Sequence, residues 1–405
     1  MHDAIRSGRT APRRIGVVTV GRSDWGIYLP LLRKIRLDRT LRLHLIVSGA
    51  HLSSRYGGTV EMIRDEGIPI GDTVDMLEAS DHPEGIARSM GRGVAGFAGS
   101  FARTRPDLLV VLGDRFEMFS AALAALPYRI PMAHIHGGEL TEGAMDDALR
   151  HAMTKLCHLH FVSTTDYARR VEQLGEEPWR ITVSGALALD HLKMTPLYRK
   201  HELERLLSVP FSPAPLLVTF HPVTLEAERT SDHTDELLAA LGRSGMSLLF
   251  TMPNADTANF IIRKKILAFA ACRPATYLFE NLGTRAYFSA MKYAAAMVGN
   301  SSSGILEAPS FGLPVVNIQP RQAGRIRAAN ALDVCCRRTA ILAGIRKALD
   351  PAFKATLEGM TNPYGTGRAA AAIHRVIRSV KLDQRLIMKK FHDMPGTPRR
   401  RKSDA

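Results

Sequence analysis

Aromatic side chains are scarce, at 6% of the 405 residues, and no stretch interleaves them with basic residues. A stacking platform for nucleic acid needs that pattern, so its absence argues against an RNA-binding module. Cysteine is almost missing as well. Cys157, Cys272, Cys335 and Cys336 form no CxxC or Cys/His spacing, which excludes a zinc ribbon and a disulfide framework and reads as reduced thiols in a cytoplasm. No apolar run approaches the roughly 18 residues that a membrane helix requires. The basic beginning (Arg6, Arg9, Arg13, Arg14) leads only into a short β-branched run, residues 15–20, without a cleavage site, so no signal peptide is expected. Two motifs are missing too. GxGxxG does not occur, which removes the dinucleotide fingerprint, and HExxH does not occur. The metal set one could assemble from His134, His136, Glu139 and His151 lacks any such context, so neither a metal nor a cofactor is expected.

Acidic residues are in deficit, 39 against 54 Lys and Arg, leaving a net charge of +15. Eight of those fifteen charges fall in residues 1–14 and 385–405, the latter ending GTPRRRKSDA, and both read as solvated tails. The rest is spread over the body, which suits a small anionic substrate about as well as RNA, and it is the missing stacking pattern that argues against nucleic acid. No membrane partner is expected.

What is present is an alternation of short β-rich runs with longer helical ones, the pattern of βαβ units and parallel sheets. Strands are expected at 14–20, 41–48, 108–112, 130–135, 158–162 and 181–184, then at 216–220, 246–251, 275–279, 294–298 and 314–318. The fold class is therefore α/β, with two similar halves facing across a cleft lined by the carboxyl ends of their strands. The expected layout is a basic N-terminus (1–13), a first domain (14–190), a polar connection (191–215), a second domain (216–365), a closing helix (366–384) and a basic disordered tail (385–405).

Chemistry-bearing residues gather where strands stop. GRSDWG (21–26) ends the first strand, with a helix beginning near Ile27; Arg22 there could hold a phosphate, or the segment is a plain turn capped by Asp24. The stretch LGDRF places Asp114 and Arg115 at one strand end, and HIHGGE places His136 and Glu139 at the next. A helix then opens with Asp146 and Asp147, and Arg150, His151 and Lys155 follow on its next turns. In the second half FHPVT ends a strand with His221, TMPNAD ends another with Asn254, and GNSSSG (299–304) opens a helix. Ser301, Ser302 and free backbone amides there suit a diphosphate, Glu307 one turn on suits ribose hydroxyls, and Arg321 follows the next strand.

These residues together resemble the UDP-N-acetylglucosamine 2-epimerases, specifically the hydrolysing branch of sialic and legionaminic acid synthesis. The resemblance runs in order through GRSDWG, SGAHLSSRYG, GDRFE, HIHGGELTEGAMDDALRHAMTK, HPVT, PNAD, GNSSSGILEAPSFG and RQAGR, over about residues 14–380. It implies two Rossmann-like domains in the glycosyltransferase-B arrangement, and a homo-oligomer, dimer or tetramer. It implies that Arg22, His221, Asn254, Ser301, Ser302, Glu307 and Arg321 hold UDP. His51, Arg115 and Arg150 would then face the sugar, with Asp114, His136, Glu139, Asp146 and Asp147 as proton carriers. One departure stands out: His136 occupies a position where some relatives carry glutamate, which shifts acid–base work toward Glu139. The expected reaction converts UDP-GlcNAc, or a 4-acetamido-6-deoxy analogue, to UDP and the free manno-configured sugar through a glycal. The alternatives are a non-hydrolysing epimerase and a glycosyltransferase of the same fold.

Overall fold

A computed structural model describes residues 11–53, 58–78, 82–141, 145–223, 228–252 and 259–394. The chain divides into two compact units. The first gathers residues 1–138, 148–187 and 368–405; the second gathers 139–147 and 188–367.

The first unit is built on a parallel sheet of seven strands: β1 (Arg13–Thr19), β2 (Leu41–Ser48), β3 (Ile70–Val74), β4 (Leu108–Leu112), β5 (Met132–Ile135), β6 (Leu159–Val162) and β7 (Ile181–Val183). Their order is β3-β2-β1-β4-β5-β6-β7. The central strands read as continuous apolar runs because helices cover both faces; all five residues of β4, Leu-Leu-Val-Val-Leu, are buried. Each such side chain contributes on the order of 1.5–3 kcal/mol by leaving water. Strand order reverses direction between β1 and β4, and ligands of open α/β sheets bind at the carboxyl ends of strands at that point.

The second unit repeats the plan with β8 (Leu216–Thr219), β9 (Leu248–Thr251), β10 (Thr276–Phe279), β11 (Ala296–Gly299), β12 (Val315–Ile318) and β13 (Ala331–Val334). The order β10-β9-β8-β11-β12-β13 puts its own reversal between β8 and β11.

Four expectations are corrected here. The first helix begins at Arg22 and runs to Leu37, so GRSDWG is its opening turn rather than a loop before it. Trp25, Tyr28, Leu29, Leu32 and Ile35 bury one face, and that packing outweighs the missing amide of Pro30. Strands β3 and β13, at the sheet edges, were not expected, since polar residues dilute their pattern. Residues 191–215 are no free connection: Leu203, Val209 and Phe211 are buried in a core of the second unit. Finally, residues 385–394 are not a solvated tail. After the helix Ala369–Ser379, whose Ile373 and Ile377 join the first unit's core, a turn at Gln384–Ile387 lies on that unit. There the Arg180 guanidinium donates to the carbonyls of Leu386 (2.8 Å) and Arg385 (2.9 Å).

Candidate active site

In the first unit the ends of β1, β2, β4 and β5 present a dense polar cluster. At the end of β1, Asp24 folds back from the helix and its Oδ2 accepts from the Thr19 hydroxyl (2.6 Å) and the Val20 amide (3.0 Å). Burial pushes the Asp24 carboxyl up to about 6, opposed by those hydrogen bonds and by the charge of Arg115. Thr19 also meets His51 Nε2 at 2.9 Å, and His51 Nδ1 meets the Thr59 hydroxyl at 2.7 Å. His51 has no exposed surface, and burial lowers its pKa to about 4. The imidazole expected to face the sugar is thus neutral, with both nitrogens engaged inside the protein. Its contact with Thr19 links it to Asp24.

At the end of β4, the Asp114 carboxylate pairs with Arg150 Nη2. Arg150 is buried, whereas Asp114 keeps a fifth of its side chain exposed, so the carboxylate is the accessible member of the pair. The helix Met145–Leu156 delivers Arg150 by burying Leu149, Arg150, Met153 and Thr154 along one face. Next to Asp114, Arg115 grips Glu117 through Nε (3.2 Å) and Nη2 (2.8 Å), and Glu117 is fully buried.

At the end of β5, His134 Nε2 meets the Gly113 carbonyl at 2.7 Å, and Nδ1 lies 3.3 Å from the Thr154 hydroxyl. Burial takes the pKa of His134 down to about 3, so the ring is neutral and ties β5 to the turn before Asp114. His136 follows at φ 67°, a left-handed conformation that costs a non-glycine residue on the order of 1–3 kcal/mol. Its amide donates to the Phe161 carbonyl at 2.9 Å, which holds the turn. Gly138 must be glycine there: at φ 76° an added Cβ would lie 2.5 Å from the Tyr167 carbonyl oxygen.

Glu139, Asp146 and Asp147 belong to the segment that groups with the second unit. Glu139 is buried, Asp146 and Asp147 are half-buried, and Asp147 accepts from the Thr141 amide at 2.7 Å. Arg22 is exposed on the first helical turn.

In the second unit, β11 ends at Gly299 with φ 143°. A Cβ there would fall 1.9 Å from the Thr219 carbonyl oxygen, so only glycine lets β11 and β8 approach this closely. Asn300 uses the approach: its Oδ1 accepts from the His221 amide (2.8 Å) and its Nδ2 donates to the His221 carbonyl (2.9 Å). Arg321 Nη1 (3.2 Å) and Gln322 Nε2 (2.9 Å) both donate to the Asn300 carbonyl. Burial, reinforced by Arg321, takes His221 down to about 3 and keeps its ring neutral. The helix expected after GNSSSG is only Ser303–Leu306, ending before Pro309 in a tighter turn, Ala308–Phe311. Ser301 and Ser302 are half-buried at its start. Glu307 follows it, with Oε2 buried and no hydrogen-bond partner among the described residues. Burial raises its carboxyl to about 7, against the opposing pull of its own amide, Arg325 and Ser303. Asn254 lies outside the described residues.

The two clusters contain two built-in elements of anion and proton chemistry: a carboxylate on a buried arginine, and a serine-glycine turn beside an arginine and a carboxyl raised by burial. A family model for UDP-N-acetylglucosamine 2-epimerase matches residues 33–378. The chain belongs to that family. It is 39% identical over 325 residues to the GDP/UDP-N,N'-diacetylbacillosamine 2-epimerase (hydrolyzing) of Campylobacter jejuni, covering 79% of this chain and 84% of that protein. It is 35% identical over 390 residues to the polysialic acid biosynthesis protein P7 of Escherichia coli, covering 95% and 98%. Among solved structures, the UDP-GlcNAc 2-epimerase of Neisseria meningitidis bound to UDP-GlcNAc superposes with a TM-score of 0.78 at 17% identity, covering 90% and 99%. That likeness shows the shared fold. The relatives favour the hydrolysing epimerases over the non-hydrolysing alternative.

Asp24, Glu117, Asn300 and Gln322 also stand in these two clusters and were not among the candidates named from the sequence. Glu117 had a signal, as the last letter of GDRFE; Asp24 had one inside GRSDWG, where it reads equally well as a helix cap. Asn300 and Gln322 lay inside GNSSSG and RQAGR in the same way, but their contacts are to main-chain atoms that no spacing announces. Among the described residues, no group of three or more His, Cys, Asp and Glu is placed to hold a metal. No helix among them is long and apolar enough to cross a membrane.

Proposed function

We propose that the protein is a hydrolysing 2-epimerase that turns a UDP-linked 2-acetamido sugar and water into UDP and the free manno-configured sugar. The observation that carries this reading is the accessible Asp114 carboxylate held by buried Arg150 at the end of β4. The C2 proton of the substrate has no neighbouring carbonyl and is barely acidic, so cleavage of the C1–O bond leads. Its electron pair leaves with the diphosphate, and Arg22, Arg321 and the serine-glycine turn at Gly299 neutralise that charge. Asp114 takes the C2 proton, giving a glycal. Water then adds to C1 while a proton returns to C2 from the opposite face, inverting it. Arg150 anchors the Asp114 carboxylate at the end of β4 with one side open to the substrate. Asp146 and Asp147, in the first turn of the helix Met145–Leu156, are assigned to base or electrostatic work. Glu139 and His136 are the partners for reprotonation. Residues Ser301, Ser302, His221, Asn254 and Glu307 bind UDP, and Arg115 faces the sugar, with His51 behind.

The C. jejuni relative favours a 4-acetamido-6-deoxy sugar, and UDP-GlcNAc is the simpler substrate. Both should be incubated with the protein in D₂O and followed by proton NMR. Free manno-configured sugar carrying deuterium at C2, with UDP, is the expected product. A UDP-linked epimer would overturn hydrolysis, and transfer to an added acceptor would overturn epimerisation.

A further inference from the structure

The docked segment 384–392 buries Leu386 in the first unit's core, and it reaches the end of the helix that carries Arg150 through charge. Glu176 has no exposed side-chain surface and is contacted by Lys155 (2.6 Å), Lys389 (2.7 Å) and His160 Nε2 (3.0 Å). Lys389 completes its donors on the carbonyls of Cys157 (2.6 Å) and Lys155 (2.8 Å), with Thr154 at 3.4 Å. Thr154 and Lys155 supply two of the last four carbonyls of the helix Met145–Leu156, which have no partner inside the helix, Cys157 directly follows it, and a cation there also answers the helix dipole. The backbone around Lys389 is fixed independently. Arg180, itself buried, holds the carbonyls of Arg385, Leu386 and Met388, and the His392 amide donates to Gly175 at 2.9 Å.

From this clamp a short path leads to the reacting carboxylate. The Thr154 hydroxyl bonds to the Arg150 carbonyl (3.1 Å) and touches His134, which in turn bonds to the carbonyl of Gly113, the residue before Asp114. Arg150 itself closes the loop on Asp114. We propose that Lys389 and Glu176 are positioning residues, which lock the C-terminal end of the helix Met145–Leu156 so that Arg150 and Thr154 hold Asp114 at the angle the reaction needs. The inference rests on the epimerase reading for its kinetic consequence, while the clamp itself does not. A solvated surface lysine would not be tied to three carbonyls and a fully buried carboxylate. Desolvating Glu176 is costly unless its cations are held in place, so the segment and the helix end are stable only together.

The test compares Lys389→Met, Lys389→Arg, Glu176→Gln and the neighbouring exposed Lys390→Met in the full chain. Two readouts are taken: kcat and KM for the UDP-sugar, and amide hydrogen exchange along residues 145–156. Small angular errors at a reacting group cost up to about a hundredfold in rate. Lys389→Met is expected to lower kcat roughly ten- to a hundredfold, with KM within about twofold, and to speed exchange at the end of the helix. Glu176→Gln should act in the same direction. Lys389→Arg should recover most of kcat, and Lys390→Met should match the wild type. Unchanged kcat in both Lys389→Met and Glu176→Gln overturns the proposal. So does a loss of kcat with exchange raised uniformly over the first unit, which would signify general destabilisation. If the wild type turns over no UDP-sugar, the epimerase reading fails instead, and the local exchange pattern alone decides whether the clamp exists.

Discussion

Glu307 offers a quantitative test of nucleotide binding. Its carboxyl sits at about 7 because burial disfavours the anion more than Arg325, Ser303 and its own amide favour it. If ribose hydroxyls donate to this carboxylate, substrate binding fixes the ionised form and releases a proton. With the free protein titrating at about 7 and the complex below about 5, roughly nine-tenths of the free molecules are protonated at pH 6 and about one-tenth at pH 8. Affinity should then fall about tenfold from pH 8 to pH 6, or about 1.4 kcal/mol. Titration calorimetry of the UDP-sugar into Asp114→Asn protein, which binds without turnover, would read both the Kd and the proton release in buffers of different ionisation enthalpy. A UDP-sugar is preferable to UDP, whose terminal phosphate titrates in the same range. Glu307→Gln should flatten the pH dependence and abolish the released proton. A Kd that is equal at pH 6 and 8, or a slope that survives in Glu307→Gln, would refute the role assigned to this carboxyl.

Asp114→Asn should lower turnover by roughly 10²–10⁴-fold while leaving the Kd for UDP unchanged; near-normal turnover would remove Asp114 from the reaction. Gly299→Ala forces a Cβ against the Thr219 carbonyl at an unfavourable φ and should cost at least about 3 kcal/mol in urea unfolding, with loss of UDP binding. His51, His134 and His158 have folded pKa values of about 4, 3 and 4, below their unfolded value. Their contribution is complete above about pH 6.5 and is lost as pH falls toward 4, at up to about 4 kcal/mol per pH unit near pH 5, and the raised carboxyl of Asp24 offsets about 1 of that, so first-unit stability should drop by about 3 kcal/mol per pH unit there. A flat profile between pH 7 and 5 would contradict the buried neutral state of these rings.

The sheet cores were legible because β4 is apolar throughout and β1 and β8 carry the apolar runs 15–18 and 216–218, which need no context to be read as buried strands. The edge strands were not. IGDTV and ALDV mix polar residues into four- and five-residue runs, because one side of an edge strand has no neighbouring strand and its pattern is set by local exposure. At the candidate site, Asp114 and His136 drew attention because polar groups at the ends of buried strands have little other reason to be there. What was hidden depends on partners far away in sequence. Arg150 could be seen as a cation on a helix face, but its partner lies 36 residues upstream. Lys155 looked like part of that same face, yet it turns to Glu176, which carried no motif. The basic residues after 384 looked like solvent-seeking charge because composition cannot register a buried carboxylate waiting for Lys389.

The first unit is discontinuous, and that sets a schedule on its synthesis. About 180 residues separate Leu187 from Arg368, the point at which the chain returns to the first unit. At about 5–20 residues per second, a ribosome needs roughly 10–35 s to cross that interval. Throughout it the helix Arg22–Leu37 waits without the Ala369–Ser379 helix that packs against it, and the end of the helix Met145–Leu156 waits without Lys389. The nascent first unit is therefore at its most vulnerable to aggregation and chaperone capture while the second unit is being made. A stop codon anywhere in the second unit would damage the first one as well.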